Sequence, residues 1–149
     1  MGNEAYTINF TIDHDSLRRY ESYYFELHPR AVKPPIKQPY HESINQWMIM
    51  KRPMMNALKQ KWKDYIKWQV EEEGYSNLCI EKCEIEQIIY YNNNRRHDLD
   101  NTVPKFVLDG FVESKMIVDD DSKHIQKLTL MCDYDKDNPR TEIIIHIIP

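Results

Sequence analysis

The sequence predicts an α+β fold in which a small mixed β-sheet packs with two main helices in a single domain. A long segment between Pro53 and Gly74 repeats apolar residues every three to four positions, which is the spacing of a helix with one buried face. A second, shorter helix is expected directly after Asn101. Strand-like patterns of apolar and β-branched residues recur at residues 6–12, 78–91, 125–132 and 141–148. A length of 149 residues suits one domain with its own core.

The first forty residues are expected to extend this domain at its N-terminus. They hold the first strand, and a short helix could start near Ser16. Four prolines between residues 29 and 39 forbid regular structure there and predict an extended loop. The basic residues of that loop are interpreted as a solvated surface in preference to an arm against DNA; they are Arg30, Lys33 and Lys37.

The long helix carries a nearly pure positive charge beside its apolar face. Pro53 suits a first helical turn, and Gly74 suits the position after a helix end. Six basic residues against one acidic residue lie between Lys51 and Lys67. Such a run is usually a solvated helix face, but its single sign equally favours contact with phosphates. The candidate DNA contacts on this helix are Lys59, Lys63 and Lys67, spaced one turn apart.

Acidic residues gather directly after the second predicted strand. Asp98 and Asp100 are two apart, so in an extended segment their carboxylates would point to the same side. Asn101 is expected to cap the following helix, with Pro104 in its first turn.

That second helix should place a lysine and an aspartate together and then return the chain to the first acidic pair. Lys105 and Asp109 are one turn apart, and a further acidic run follows at residues 119–121. Convergent carboxylates with a nearby lysine suit a hard cation such as Mg²⁺ and chemistry on a phosphodiester. Carboxylates that only cap a helix would not explain why the acidic cluster recurs.

The order of these residues resembles a known family. The motif reads Arg95-Arg96-His97-Asp98-Leu99-Asp100-Asn101, then Lys105, Asp109 and Asp120-Asp121-Ser122. It is similar to the RusA-type Holliday junction resolvases of phages and prophages, which share an arginine run, D-x-D-N, a helical lysine, an aspartate four later and a D-D pair. The resemblance covers roughly residues 41–149 and is sharpest between Arg95 and Ser122, so residues 1–40 fall outside it.

The resemblance implies specific roles for the motif residues. It assigns Asp98, Asp100 and Asp121 as metal-binding acids, with Asp120 as the alternative ligand. Lys105 corresponds to the lysine needed for catalysis, although it lies five residues after Asp100 where the family commonly has four.

The same resemblance implies an Mg²⁺-dependent endodeoxyribonuclease, with Mn²⁺ as a substitute metal, acting on four-way DNA junctions. It further implies a homodimer that nicks two opposed strands symmetrically. Arg95 and Arg96 are expected beside the scissile phosphate, since guanidinium groups pair well with phosphate oxygens. Two other functions stay open: a metal-dependent nuclease for flaps, forks or single strands, and a catalytically silent DNA-binding or regulatory protein, which the displaced lysine permits.

Composition sets limits on partners and location. The formal net charge of −4 argues weakly against DNA, yet an acidic domain can still present a local basic surface. No segment approaches the roughly 20 apolar residues that a membrane span requires. The N-terminal residues lack the basic and apolar regions of a signal peptide, so a cytoplasmic protein without a membrane partner is expected.

Overall fold

In the computed structural model, which describes residues 6–149, four β-strands and four α-helices follow one another along the chain. Their order is β1 (Thr7–Asp13), α1 (His14–Leu27), α2 (Ile44–Met48), α3 (Arg52–Glu72), β2 (Cys83–Tyr91), α4 (Lys105–Glu113), β3 (Ile125–Tyr134) and β4 (Arg140–Ile147). A 3₁₀ helix at Leu99–Thr102 lies between β2 and α4. These elements confirm the predicted α+β class.

The strands form one mixed sheet in the order β1-β4-β2-β3. The central strand β4 runs antiparallel to both neighbours, with Ile143 opposite Phe10 of β1 and Ile145 opposite Ile85 of β2. Strands β2 and β3 are parallel. Parallel strands need a long crossover, and the segment between β2 and β3 supplies it with the 3₁₀ helix and α4. This crossover is the acidic stretch of the sequence.

One face of the sheet carries the core. Alternate residues of β1, β2 and β4 are buried, among them Phe10, Ile85 and Ile145. From α3, Trp62 and Ile66 pack into the same core, as the predicted apolar face of that helix requires. The ring of Phe10 meets Phe111 of α4 edge-on, with centroids 5.2 Å apart. The opposite face of the sheet is only half-buried.

The N-terminal region contributes more structure than the sequence suggested. The predicted short helix near Ser16 is the 14-residue helix α1, so the domain has three substantial helices where two were expected. A capping box sets its start: the Asp13 carboxylate accepts from the Ser16 amide at 2.8 Å, and the Asp13 amide donates to Ser16 Oγ at 3.0 Å. The Asp-x-x-Ser spacing was the available signal. Tyr20 is buried against Tyr65 of α3, which ties α1 to the core.

The proline-rich segment is irregular, as predicted, but it packs onto the domain. Pro35, Ile36 and Pro39 are buried. The hydroxyl of Thr141 in β4 donates to the carbonyl oxygen of Pro39 at 2.6 Å. The basic residues of the segment remain exposed; they are Arg30, Lys33 and Lys37.

The second strand begins later than predicted. Residues 78–82 were expected to be strand, yet β2 starts at Cys83. Asn77 and Cys79 have φ values of 62° and 52°, a left-handed conformation that interrupts an extended chain. Ile80 makes only an isolated parallel bridge to Ile117.

Helices α3 and α4 approach closely at Gly110. A Cβ atom added there would lie 2.6 Å from Ile66 Cβ, so glycine is what allows this contact. We expect Gly110→Ala to lower the free energy of unfolding by about 1–3 kcal/mol through overpacking. The direction of this change is informative, because replacing glycine with alanine at an unhindered helix position raises the free energy of unfolding by up to about 1 kcal/mol.

Urea denaturation measures this effect, with Asn56→Ala at an exposed position of α3 as the control. The control should leave stability unchanged or raise it slightly. A Gly110→Ala protein as stable as wild type would contradict the close packing of α3 on α4.

Candidate active site

The D-x-D-N stretch follows β2 in the segment by which the chain leaves the sheet. Asp98 precedes the 3₁₀ helix in an extended conformation, and Asp100 lies within that helix. The expectation that Asp98 and Asp100 lie in one extended segment is therefore wrong. The 3₁₀ helix forms because the Asn101 amide donates to the Asp98 carbonyl at 3.0 Å and the Thr102 hydroxyl donates to the Leu99 carbonyl at 2.6 Å. Asp98 and Asp100 are both exposed.

Asn101 does not cap α4, contrary to the prediction. It lies inside the 3₁₀ helix, and Pro104 takes the position before α4 instead of its first turn. The reason is local, since a residue before proline avoids the helical conformation, and Val103 accordingly has ψ of 126°. The Asn101 side chain has another role: its Oδ1 accepts from the backbone amide of Asn45 in α2 at 3.0 Å.

Lys105 occupies the centre of an acidic cluster. Its Nζ lies 3.0 Å from Asp109 Oδ1 and 3.7 Å from Asp120 Oδ2. The hydrogen bond to Asp109 raises the pKa of Lys105 above its ordinary value, so the ammonium form is favoured. The predicted pairing of Lys105 with Asp109 on one side of α4 is confirmed. Lys105 thus joins the first turn of α4 to the second acidic run.

Asp109 is the most enclosed acid of this cluster. Its side chain is 15% exposed, and its Oδ2 is buried without a hydrogen-bond donor in the described part of the chain. Lys59 Nζ stands 4.0 Å from that oxygen, which is within ion-pair range but beyond a hydrogen bond. Asp109 therefore holds Lys105 on one side and faces Lys59 on the other.

Asp120 and Asp121 have different surroundings. Asp121 Oδ1 lies 2.6 Å from His124 Nδ1 and also accepts from the amides of Lys123 and His124. The hydrogen bond from His124 lowers the pKa of Asp121 below its ordinary value. These contacts make Asp121 the organiser of the turn that leads into β3, whereas Asp120 points towards Lys105.

A buried histidine that the sequence reasoning left without a role holds the start of α4. The Phe106 amide donates to His41 Nε2 at 3.0 Å, and His41 Nδ1 lies 2.6 Å from the Glu42 carbonyl oxygen. Because Nε2 accepts, the proton must be on Nδ1 and the ring must be neutral. The ring packs between Trp62 and Phe106, with centroids 5.6 Å and 4.9 Å away. The contact spans 65 residues, so no local spacing could have indicated it.

The predicted DNA-contacting residues fall into two groups. Lys59 and Lys63 face α4, where Lys63 Nζ pairs with Glu113 at 3.1 Å. Lys67, Arg95 and Arg96 are exposed and make no ion pair within residues 6–149.

The donor chemistry of the motif fits a hard divalent cation. Asp98, Asp100 and Asp120 offer only carboxylate oxygens, which Mg²⁺ prefers, and Asp109 Oδ2 is a buried oxygen without a hydrogen bond. In the described chain, no three acidic, histidine or cysteine side chains already meet as a metal-binding group.

No protein-family model matches this chain, and no curated protein matches it either. Among residues 6–149, none of the helices is long and apolar enough to cross a bilayer.

Proposed function

We propose that this protein is an Mg²⁺-dependent, structure-selective endodeoxyribonuclease that resolves four-way DNA junctions by paired nicks. The observation that supports it most is the position of Lys105 between Asp109 and Asp120. This contact brings the acidic run that follows α4 back to the helix that directly follows D-x-D-N. Phosphodiester hydrolysis needs carboxylates and a cationic group near the same phosphate, and Lys105 with Asp109 and Asp120 would supply part of that set.

Each motif residue has a role in this proposal. Asp98, Asp100 and Asp120 would hold the metal, which when bound activates water and neutralises phosphate oxygens. Lys105, kept protonated by Asp109, would stabilise negative charge that develops on the phosphate in the transition state. Asp120 takes the place of Asp121 in this proposed set, because Asp121 Oδ1 already accepts from His124 and two backbone amides, whereas Asp120 Oδ2 lies 3.7 Å from Lys105 Nζ.

The proposed DNA contacts follow from exposure. Arg95 and Arg96 stand directly before the acidic residues, and Lys67 is free on α3. Lys59 and Lys63 would contribute less to affinity, since acids of α4 already pair with them. The loop bearing the arginines would approach the scissile phosphate with guanidinium donors that match its oxygens.

Paired nicking requires two active sites, so we propose a C2 homodimer. The half-buried face of the sheet is the surface that we propose contacts the second copy. It presents Ile88, Ile144 and Met131, the last of which is 37% exposed, on the side that the helices leave uncovered.

Cleavage of a labelled synthetic four-way junction in Mg²⁺ tests the proposal, with a duplex, a fork and a single strand as controls. We expect symmetric nicks in the junction, little cutting of the controls, and no cutting when EDTA removes the metal. If the protein cuts forks or single strands but not the junction, the proposed metal-dependent nuclease activity stands and the proposed junction substrate is wrong.

A DNA-binding protein without nuclease activity is the second candidate. The feature that favours it is the position of Lys105, which lies five residues after Asp100 where the resembled family commonly has four. The same assay separates the two, because such a protein would shift the junction on a gel with or without Mg²⁺ and never cut it.

A further inference from the structure

Two strongly exposed apolar side chains stand where α2 ends. Met48 is 65% exposed and Ile49 is 86% exposed. Met54, in the first turn of α3, is 60% exposed beside them in sequence. Single exposed apolar residues are common, but several of them within one short connection between helices indicate an interaction surface.

Helix α2, which carries Met48, is fixed by its own capping box and by packing on α4. A capping box closes the start of α2, with the Ser43 amide donating to Gln46 Oε1 at 2.8 Å and the Gln46 amide donating to Ser43 Oγ at 3.2 Å. Trp47 packs on Phe106 of α4 at a centroid distance of 5.3 Å. Exposed apolar groups on an ordered support lose little entropy when they bind, which favours a preformed contact over a flexible one.

This site is attached to the D-x-D-N stretch. The Asn45 amide of α2 donates to Asn101 Oδ1 at 3.0 Å, so α2 and the 3₁₀ helix are directly linked. Leu99 of that 3₁₀ helix is itself 47% exposed. The helix that carries Met48 is therefore tied to the segment that carries Asp98 and Asp100.

The charge around the exposed residues selects the kind of ligand. No acidic residue occurs from Ser43 to Leu58, and the basic residues of that range are Lys51 and Arg52. Lys51 and Arg52, which are separated from Ile49 by Met50 alone, are themselves exposed. Cations flanking an apolar tip suit DNA, where phosphates pair with the cations and an apolar side chain can enter between unstacked bases.

We propose that the α2–α3 connection is a DNA wedge, in which Met48 and Ile49 insert at an unstacked base step of branched DNA. The wedge rests on the proposed function, because it requires DNA as the substrate. The wedge would also explain why the protein prefers branched DNA, since base steps at a branch point are already weakly stacked and cost less to open. Lys51 and Arg52 hold the flanking phosphates while the wedge is in place.

The test uses a four-way junction with 2-aminopurine at the branch point, whose fluorescence rises when the base unstacks. Wild type, Met48→Ser/Ile49→Ser and Val32→Ser are compared in Ca²⁺, with the DNA checked on a gel for cutting. Val32 is the matched control, because it is 91% exposed and lies in the proline-rich segment instead of the wedge. All three replaced residues are exposed, so equal urea midpoints should confirm that the variants fold.

We expect wild type and Val32→Ser to raise the fluorescence and to bind the junction equally. Met48→Ser/Ile49→Ser should abolish the rise and weaken junction binding by about 10- to 100-fold, the range for lost contacts to bases, with little change on plain duplex.

Each contrary result has a separate meaning. Junction binding by wild type without a fluorescence rise, or unchanged junction affinity of the double variant, would overturn the wedge alone. Failure of wild type to bind any DNA would overturn the proposed function as well. Binding to phosphatidylserine vesicles that depends on Met48 and Ile49, without DNA binding, would assign the surface to a membrane and also reject the wedge.

Discussion

Asp120→Asn is expected to slow Mg²⁺-dependent junction cleavage by roughly 100-fold or more, while Asp121→Asn retains most of the activity. The two residues are adjacent, and the two substitutions are chemically identical. Asp120 Oδ2 lies 3.7 Å from Lys105 Nζ, whereas Asp121 Oδ1 is occupied by His124 and by backbone amides. Only Asp120 is therefore placed to act with Lys105.

Single-turnover cleavage rates at saturating protein measure this effect independently of DNA affinity. Asp100→Asn provides the reference for the loss of a proposed metal ligand, and Asp121→Asn serves as the internal control for a neighbouring charge. Because Asp121 organises the turn before β3, its replacement should appear as reduced thermal stability and not as reduced rate. The reverse ranking, with Asp121→Asn inactive and Asp120→Asn active, would restore Asp121 as the ligand.

The strands and the long helix could be predicted because their signals are local. Apolar residues alternate along β2 and β4 and recur every 3.6 residues along α3, because each segment buries one side against the same core. This pattern is present within each segment's own sequence. The start of α1 was also readable, through Asp13 and Ser16, but charged and tyrosine residues obscured the helical repeat.

The details of the site could not be predicted in the same way. The choice between Asp120 and Asp121 depends on which side of a turn faces Lys105, and motif spacing does not contain that information. The 3₁₀ helix arises where Pro104 interrupts helix formation, so two short helical segments replaced the single capped helix that Asn101 suggested. His41 holds the start of α4 through the Phe106 amide, and because the two residues are 65 positions apart, no local pattern indicates this contact.

The pH dependence of stability is expected to change sharply when His41 is replaced. Burial between aromatic rings lowers the pKa of His41 from 6.5 to about 4. The unfolded chain therefore binds a proton at His41 that the folded chain excludes when the pH lies between these values. His41 thus contributes stability that is complete above about pH 6.5 and is lost as the pH falls towards 4, by roughly 3 kcal/mol in total.

His41→Gln removes this titration, since glutamine carries no ionisable group yet retains an oxygen that can accept from the Phe106 amide. Urea denaturation at a series of pH values should show wild type more stable at pH 7.5, with the difference shrinking by roughly 3 kcal/mol as the pH falls to 4. His14→Gln, at an exposed position in α1, controls for replacing any histidine and should keep the loss of stability at low pH, because His41 is intact. A difference between wild type and His41→Gln that stays constant with pH would show that His41 is not the buried neutral cap of α4.

Because α4 carries Lys105, the same variant should also slow junction cleavage at neutral pH, which would connect this cap to the proposed active site.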